Sequence, residues 1–252
     1  MPYTIIADMH THTSASAHAY SSLAENAEWA KRRGLFALAK TDHAPALPDS
    51  AHEWHLQNTR RTVGEYVNGV RIFRGAEANL KGADGSVDLP DKTMAALEWV
   101  IASCHEPVMP RLGEDGITEA WLNITKNPLI DCVGHAGDER YRFDYERVIK
   151  EFAHYGKVVE FNHHSFNVRR GSAENCAQIA RLCKKYGVLA VVSSDAHFAQ
   201  EVGRFWEALR TLEEAGFPEE LLLNGGPPER LADYISARLK EKERRLASLN
   251  KG

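Results

Sequence analysis

The feature that most constrains this chain is an alternation. Seven short apolar runs (residues 3–7, 35–39, 70–74, 99–103, 129–133, 157–161 and 188–192) recur along its length. Amphipathic or capped segments lie between them, and the spacing predicts helices over 23–33, 59–67, 92–97, 118–125, 144–155, 172–186, 201–215 and 227–242 or beyond. Strands that alternate with helices pair in parallel, because each crossover returns the chain to the same end of the sheet. With 252 residues available, a closed barrel is expected, and an open doubly wound sheet is the alternative.

The residue types at the ends of these runs decide between the two. His10 and His12 close the first, His43 comes after the second and Glu77 after the third. His105, His135 and the pair Asp195/His197 come after the fourth, fifth and seventh. In parallel α/β folds the carboxyl ends of the strands share one face. A barrel gathers those ends around one axis, whereas an open sheet strings them along an edge. Residues two apart on an extended chain point the same way, so His10 and His12 aim two imidazoles at one place. With His18, the set is seven histidines and two carboxylates. One tetrahedral zinc takes about three or four protein ligands, so nine donors suit two or three ions. Three divalent ions among two carboxylates leave a strongly cationic pocket, which attracts a phosphate monoester dianion.

Composition excludes several other classes. The formal net charge is −4, which gives no field for nucleic acid or an anionic membrane. The first apolar run is too short for a signal peptide, and no stretch is long enough to span a bilayer. The four cysteines, Cys104, Cys132, Cys176 and Cys183, form no Cys-x-x-Cys pair. A cytoplasmic protein with reduced thiols is expected, as a single domain over 1–252 whose last residues, 237–252, form a charged, solvated helical tail.

Six motifs carry a resemblance: Asp8-Met9-His10-Thr11-His12, Thr41-Asp42-His43, Gly75-Ala76-Glu77, Ser103-Cys104-His105, Gly134-His135 and Ser194-Asp195-Ala196-His197. Together they resemble the PHP family, named for polymerase and histidinol phosphatase domains, and within it the stand-alone bacterial phosphatases. The resemblance implies a distorted seven-stranded (β/α)7 barrel with a C-terminal helix, holding three divalent metal ions, zinc before manganese or iron. It implies one ion on His10, His12, Glu77 and Asp195, and a second on Glu77, His105 and His135. A third would take His18, His43 and His197. Ala44, Ala136, His163 and His164 depart from the family pattern beside the ligands, where substrate preference is set.

The expected activity is hydrolysis of a small-molecule phosphate monoester by metal-activated hydroxide, with Glu77 bridging two ions. Arg169 or Arg170 would clamp the phosphate. His52, Trp54 and His55, on a long connection over 44–58, would form a lid on the leaving group. Asp8 would orient a ligand imidazole. Histidinol phosphate is one candidate ester. A nucleic-acid partner or proofreading domain would need a basic, aromatic-lined groove that is not visible here. A barrel deaminase or amidase would need fewer ligands and a designated general acid/base carboxylate.

Overall fold

A computed structural model describes residues 3–249. Its centre is a parallel sheet rolled into a nearly closed barrel. Strands β1 (Ala7–Thr11) and β2 (Ala37–Lys40) pair first. A two-residue strand β3 (Tyr66–Val67) turns back through Asn68-Gly69 onto β4 (Val70–Asn79). Next come β5 (Trp99–Ser103), β6 (Cys132–Val133), β7 (Val158–Asn162) and β8 (Ala190–Ser193). The order around the wall is β1-β2-β4-β5-β6-β7-β8, with only β3 antiparallel. This is the expected seven-stranded α/β barrel.

The seam between β1 and β8 is closed by two devices. At the carboxyl end, Asp195 N donates to His10 O (3.0 Å) and His12 N donates to Ala196 O (2.9 Å). Lower down, the buried amide of Asn224 stands in for missing ladder bonds. Its Nδ2 donates to Ala7 O (2.8 Å) and Val192 O (2.7 Å), and its Oδ1 accepts from Val192 N (3.1 Å).

Around the barrel run α1 (Leu23–Arg32), α2 (Glu53–Thr62), α3 (Asp91–Ala96), α4 (Gly113–Thr125), α5 (Tyr145–Tyr155), the short α6 (Ser165–Val168), α7 (Ser172–Tyr186), α8 (Trp206–Glu214) and α9 (Pro228–Leu249). Their starts reflect local chemistry. Ser22 and Glu25 form a reciprocal capping box at α1, and Asp144 caps α5 through Arg147 N. Gly156 and Gly187 end α5 and α7 with positive φ, where a Cβ would be strained.

Three expectations shift. The first run, 3–7, is mostly not strand: β1 starts at Ala7 and carries His10 within it. A register shift between Asp8 and Thr11 changes which side chains face inward. Met9 therefore packs into the inner apolar cluster with Phe73, Trp99 and Val191, while His10 and His12 aim above it. Secondly, the helix expected over 59–67 runs instead over 53–62, because His52 accepts a bond from Trp54 N and so starts α2 six residues early, and the chain beyond Val63 passes into β3. Thirdly, α9 is not merely a solvated face. Leu231 and Ile235 pack under the inner cluster, and Lys242 is fully buried against Asp131 and Leu97 O. Arg238 Nε reaches the other oxygen of Asp131 (3.2 Å). Residues 250–252 of the expected tail lie outside the described residues.

Candidate metal centre

Above the inner apolar cluster, the carboxyl ends of the strands converge on a polar one. The strand alternation that sends Phe73 inward also sends Gly75 and Glu77 inward, and likewise Val191, Ser193 and Asp195. Glu77 sits inside β4 rather than after it. Its backbone bonds Ala44 N and Asp42 O on one side (2.9 and 3.2 Å) and pairs in register with Ile101 on the other. Its side chain is fully buried.

The two oxygens of Glu77 face different histidines. Oε1 lies 3.0 Å from His135 Nε2 and 3.3 Å from His105 Nε2. Oε2 lies 2.9 Å from His43 Nδ1, 3.2 Å from His10 Nε2 and 3.5 Å from His12 Nε2. Asp195 completes the ring, with Oδ1 3.0 Å from His12 Nε2 and 3.6 Å from His10 Nε2 and His197 Nδ1. His18 is set apart. Half its side chain is exposed, and its Nδ1 meets Asp49 Oδ2. Its ring still stacks on those of His43 and His197, at 5.1 and 4.5 Å between centroids.

Two of these positions carry unusual backbone. His135 and Asp195 have φ of 52° and 57°, in the left-handed region that side chains with a Cβ seldom occupy. Asp and His tolerate it better than most residues, and both face the cluster. Gly134, just before His135, is needed for a different reason: a Cβ there would meet Ser103 Oγ at 2.4 Å and Ile101 Cγ2 at 2.7 Å.

The donor set fits divalent ions on its own chemistry. Among the described residues, His12 Nδ1, both nitrogens of His43, Glu77 Oε2, Asp195 Oδ1 and His197 Nε2 are buried with no hydrogen-bond partner. Leaving a buried polar atom unpaired costs roughly 1–3 kcal/mol, and more for a charged group. His43 Nδ1 and Glu77 Oε2 approach to 2.9 Å without hydrogen-bond alignment. Donors around a tetrahedral ion with bonds of about 2.0 Å lie roughly 3.3 Å apart, close to the spacings seen here. Four sets of three donors are compact enough to hold an ion: His10/His12/Glu77, His10/His135/Asp195, His43/Glu77/His105 and His12/His43/His197. They share members, as a cluster for more than one ion must.

The electrostatics agree. Burial disfavours the charge on Glu77, yet His10 and His43, whose imidazoles are themselves pushed up by the carboxylates around them, hold its carboxyl well below the usual range. Asp195 is held low in the same way, against its burial, by His10 and His12. Burial drives His105 down to about 4 despite Glu77 beside it, so its imidazole is neutral and free to ligate. The opposite ring nitrogens are fixed by outer partners. His10 Nδ1 lies 2.7 Å from Glu160 Oε1, His105 Nδ1 2.8 Å from Asn79 Oδ1, and His135 Nδ1 2.8 Å from Ser165 Oγ. Such partners set the tautomer and aim the ligating nitrogen.

The cluster opens into a cavity of about 690 Å³. His18, His105, Asp195 and His197 form part of its floor, with Leu47, Pro48 and Val168 on an apolar wall and Arg140 and Arg169 among its charged lining. The other residues expected to meet substrate lie elsewhere. Arg170 is 90% exposed and pairs with Glu139 (3.1 Å). His52 lines an adjoining hollow on the far side of Leu47 and Pro48, which the two share. His55 Nε2 turns away, to Asp42 Oδ2 at 3.1 Å. Asp8 orients no imidazole. Its carboxylate accepts from Ser194 N and Oγ and Gly203 N, and so holds the chain beyond β8.

Comparison with known proteins settles the kinship. Residues 8–164 match the model of the PHP domain, and residues 173–222 match the PHP-associated C-terminal model. The chain belongs to the PHP family. A probable phosphatase of Acetivibrio thermocellus is 41% identical over 240 residues, 95% of this PHP chain and 98% of the relative. A probable phosphatase of Photobacterium profundum is 39% identical over 245 residues, covering 97% and 99%. Kinship this close and this complete makes the PHP chain an enzyme, a phosphatase. The crystal structure of histidinol phosphate phosphatase from Lactococcus lactis, complexed with zinc, L-histidinol and phosphate, superposes with a TM-score of 0.58. At 18% identity, covering 84% of this chain and 94% of the other, it shows a shared fold. Among the described residues, no helix is long and apolar enough to cross a membrane.

The inward acid of β7, Glu160, is marked in the sequence as a lone carboxylate in the run Val158-Val159-Glu160-Phe161. A charge in a buried strand must have a partner. Asp49, Asp138 and Arg140 gave no such signal, because polar loop residues are ordinary.

Proposed function

We propose that this PHP phosphatase hydrolyses a phosphate monoester of a small molecule, with three divalent ions held by His10, His12, His18, His43, Glu77, His105, His135, Asp195 and His197. The observation that carries the reading is the set of buried, unpartnered donor atoms on His12, His43, Glu77, Asp195 and His197. His10, His12, Glu77 and Asp195 would hold one ion, Glu77, His105 and His135 a second, and His18, His43 and His197 a third. Zinc is the first choice for so many imidazoles, with manganese and iron as alternatives. When bound, such ions supply Lewis-acid stabilisation of the phosphoryl group and an activated water.

The chain's own residues do the rest. Glu77 serves two sets of histidines with its two oxygens, which ties their spacing together. Glu160 holds the Nδ1 side of His10 so that Nε2 faces the cluster. The Arg169 guanidinium, on the cavity wall, binds phosphoryl oxygens that the cluster leaves free. Leu47, Pro48 and Val168 meet the leaving group, and a cavity of about 690 Å³ holds an ester well beyond the phosphate itself. The cytoplasm is the setting we infer, since Cys104, Cys132, Cys176 and Cys183 are all buried free thiols.

The test is phosphate release from a broad panel of monoesters, histidinol phosphate included, by protein loaded in turn with zinc, manganese and iron. At least one small ester should be turned over with a kcat/KM far above the panel median. No release from any ester under any loading would overturn the reading.

A further inference from the structure

The cavity wall carries a feature that neither the strand-end pattern nor the donor cluster explains. Asp138 is 1% exposed, yet it sits in a loop and binds two arginines. Arg140 grips it along one edge, Nε to Oδ1 at 3.0 Å and Nη2 to Oδ2 at 2.7 Å, while Arg140 N donates to Oδ1 at 3.0 Å. Arg169 Nη1 reaches Oδ2 from the other side at 2.8 Å. Arg140 Nη1 continues to Glu106 Oε2 (3.0 Å), and Arg111 closes the chain on Glu106 Oε1 (2.7 Å). Three arginines face two carboxylates, so the array keeps one positive charge.

The geometry determines where that charge is available. An Arg169–Asp138 pair alone would be neutral and of little use to an anion. The two-pronged grip of Arg140 already compensates Asp138, so the Arg169 guanidinium keeps its charge while being held in one place. Arg169 is also well buried, with 11% of its side chain exposed, and lines the same cavity as His105, His135 and Asp195. The backbone ties the array to the cluster. Asp138 N donates to His135 O (3.1 Å), and Glu139 N donates to Arg170 O (3.1 Å), which zips the two loops together. A Cβ on Gly137 would meet Cys176 Sγ at 2.5 Å, so the first loop lies tight against α7.

We propose that Asp138 is a positioning residue, braced by Arg140, that fixes Arg169 as the phosphate-binding side chain of the cavity. This rests on the phosphomonoesterase reading and goes beyond it by assigning Asp138 and Arg140, which touch no ion and need touch no substrate. Arg169 is the member that contacts the phosphoryl oxygens.

The experiment measures inhibition by inorganic phosphate, together with kcat and KM for the best ester of the panel, on metal-loaded wild type, R169A, D138N, R140A and the double variant D138N/R169A. Metal content is determined for each. R169A should weaken phosphate binding by about tenfold or more at unchanged metal content, as expected for losing a charge-assisted contact. D138N and R140A should weaken it by about three- to tenfold, mainly through KM, because Arg169 remains but is no longer fixed. The deciding result is non-additivity: D138N should cost nothing further once Arg169 is gone. Additive losses, or phosphate inhibition unchanged in R169A, would overturn the assignment. R140A and R169A leave the buried Asp138 in place, so the double variant R140A/R169A, which should lose no more than R169A alone, decides the matter even if D138N fails to fold. Wild type that turns over no ester would instead count against the activity itself, whereas active wild type with unaffected variants would count against this array alone.

Discussion

At the scale of single residues, the centre is a competition between burial and compensation. Glu77, Glu160 and Asp195 are buried carboxylates whose charge is offset by the imidazoles around them and by the ions we propose, with Ser193 Oγ, Asn162 Nδ2 and His135 N also donating to Glu160. Glu160 tests the outer layer. Glu160→Gln keeps the shape but replaces a carboxylate with an amide opposite His10 Nδ1, and loss of such a partner typically costs about 10–100-fold in metal affinity. Competitive chelator titration should show that drop with the fold intact by circular dichroism; unchanged affinity would remove Glu160 from the account. Asp138 gives a pH test. Burial alone would raise its carboxyl, but hydrogen bonds from Arg140 and Arg169 hold it at about 2, below its ordinary 3.8. Such a group stabilises the fold above pH 3.8, and the contribution fades as pH falls through 2. Wild type should therefore exceed Asp138→Asn in stability at pH 5, with the gap closing toward pH 2 in denaturant titrations; a gap that widens on acidification would contradict this. Residues of this kind differ in how legible they were. Histidines at strand ends announce themselves by type and place. Asp138 and Arg140 are common loop residues that gain meaning only from facing each other.

Among the elements, helices α5 and α7 and strand β5 were legible nearly residue for residue, because caps, glycine stops and apolar runs coincide there. β1 and α2 were not. The register shift in β1 is a backbone event with no composition cue, and a one-residue slip changes which side chains face the core. The start of α2 is set by His52, an uncommon cap, so the polar stretch before residue 59 looks like loop. From residue 237 onward the last helix has the alternating Lys, Arg and Glu residues of a solvated charge run. Its inward face is instead locked to the barrel floor by Asp131, which meets Lys242 and Arg238 and accepts from Val100 N (2.8 Å). Removing one partner of a buried pair costs more than an exposed pair is worth, because it strands a charge. Asp131→Ala should lower unfolding free energy by about 3–5 kcal/mol. Breaking the exposed Arg32–Glu28 pair with Arg32→Ala should cost less than about 1 kcal/mol. Equal losses in urea denaturation would mean that α9 is not held as described.

For the molecule as a whole, the barrel converts sequence distance into proximity. Asp8 and Ser194 are 186 positions apart and share a hydrogen bond, and His10 meets Glu160 across 150. The closed seam, with Asn224 below and Asp195 above, keeps the two ends of that chain in register, so the donors form one cluster rather than a row. The inner apolar floor beneath them keeps water away from Met9 and Trp99 and leaves the opposite end as the way in. The central claim is that this cluster exists to hold divalent ions around Glu77. Its most direct test is metal content by elemental analysis, on wild type and Glu77→Ala, each reconstituted with zinc or manganese and freed of excess. The account predicts about three ions per wild-type chain, falling to at most one in Glu77→Ala while the barrel still folds. A wild-type chain that binds no ion, or a Glu77→Ala chain that retains the full complement, would contradict it.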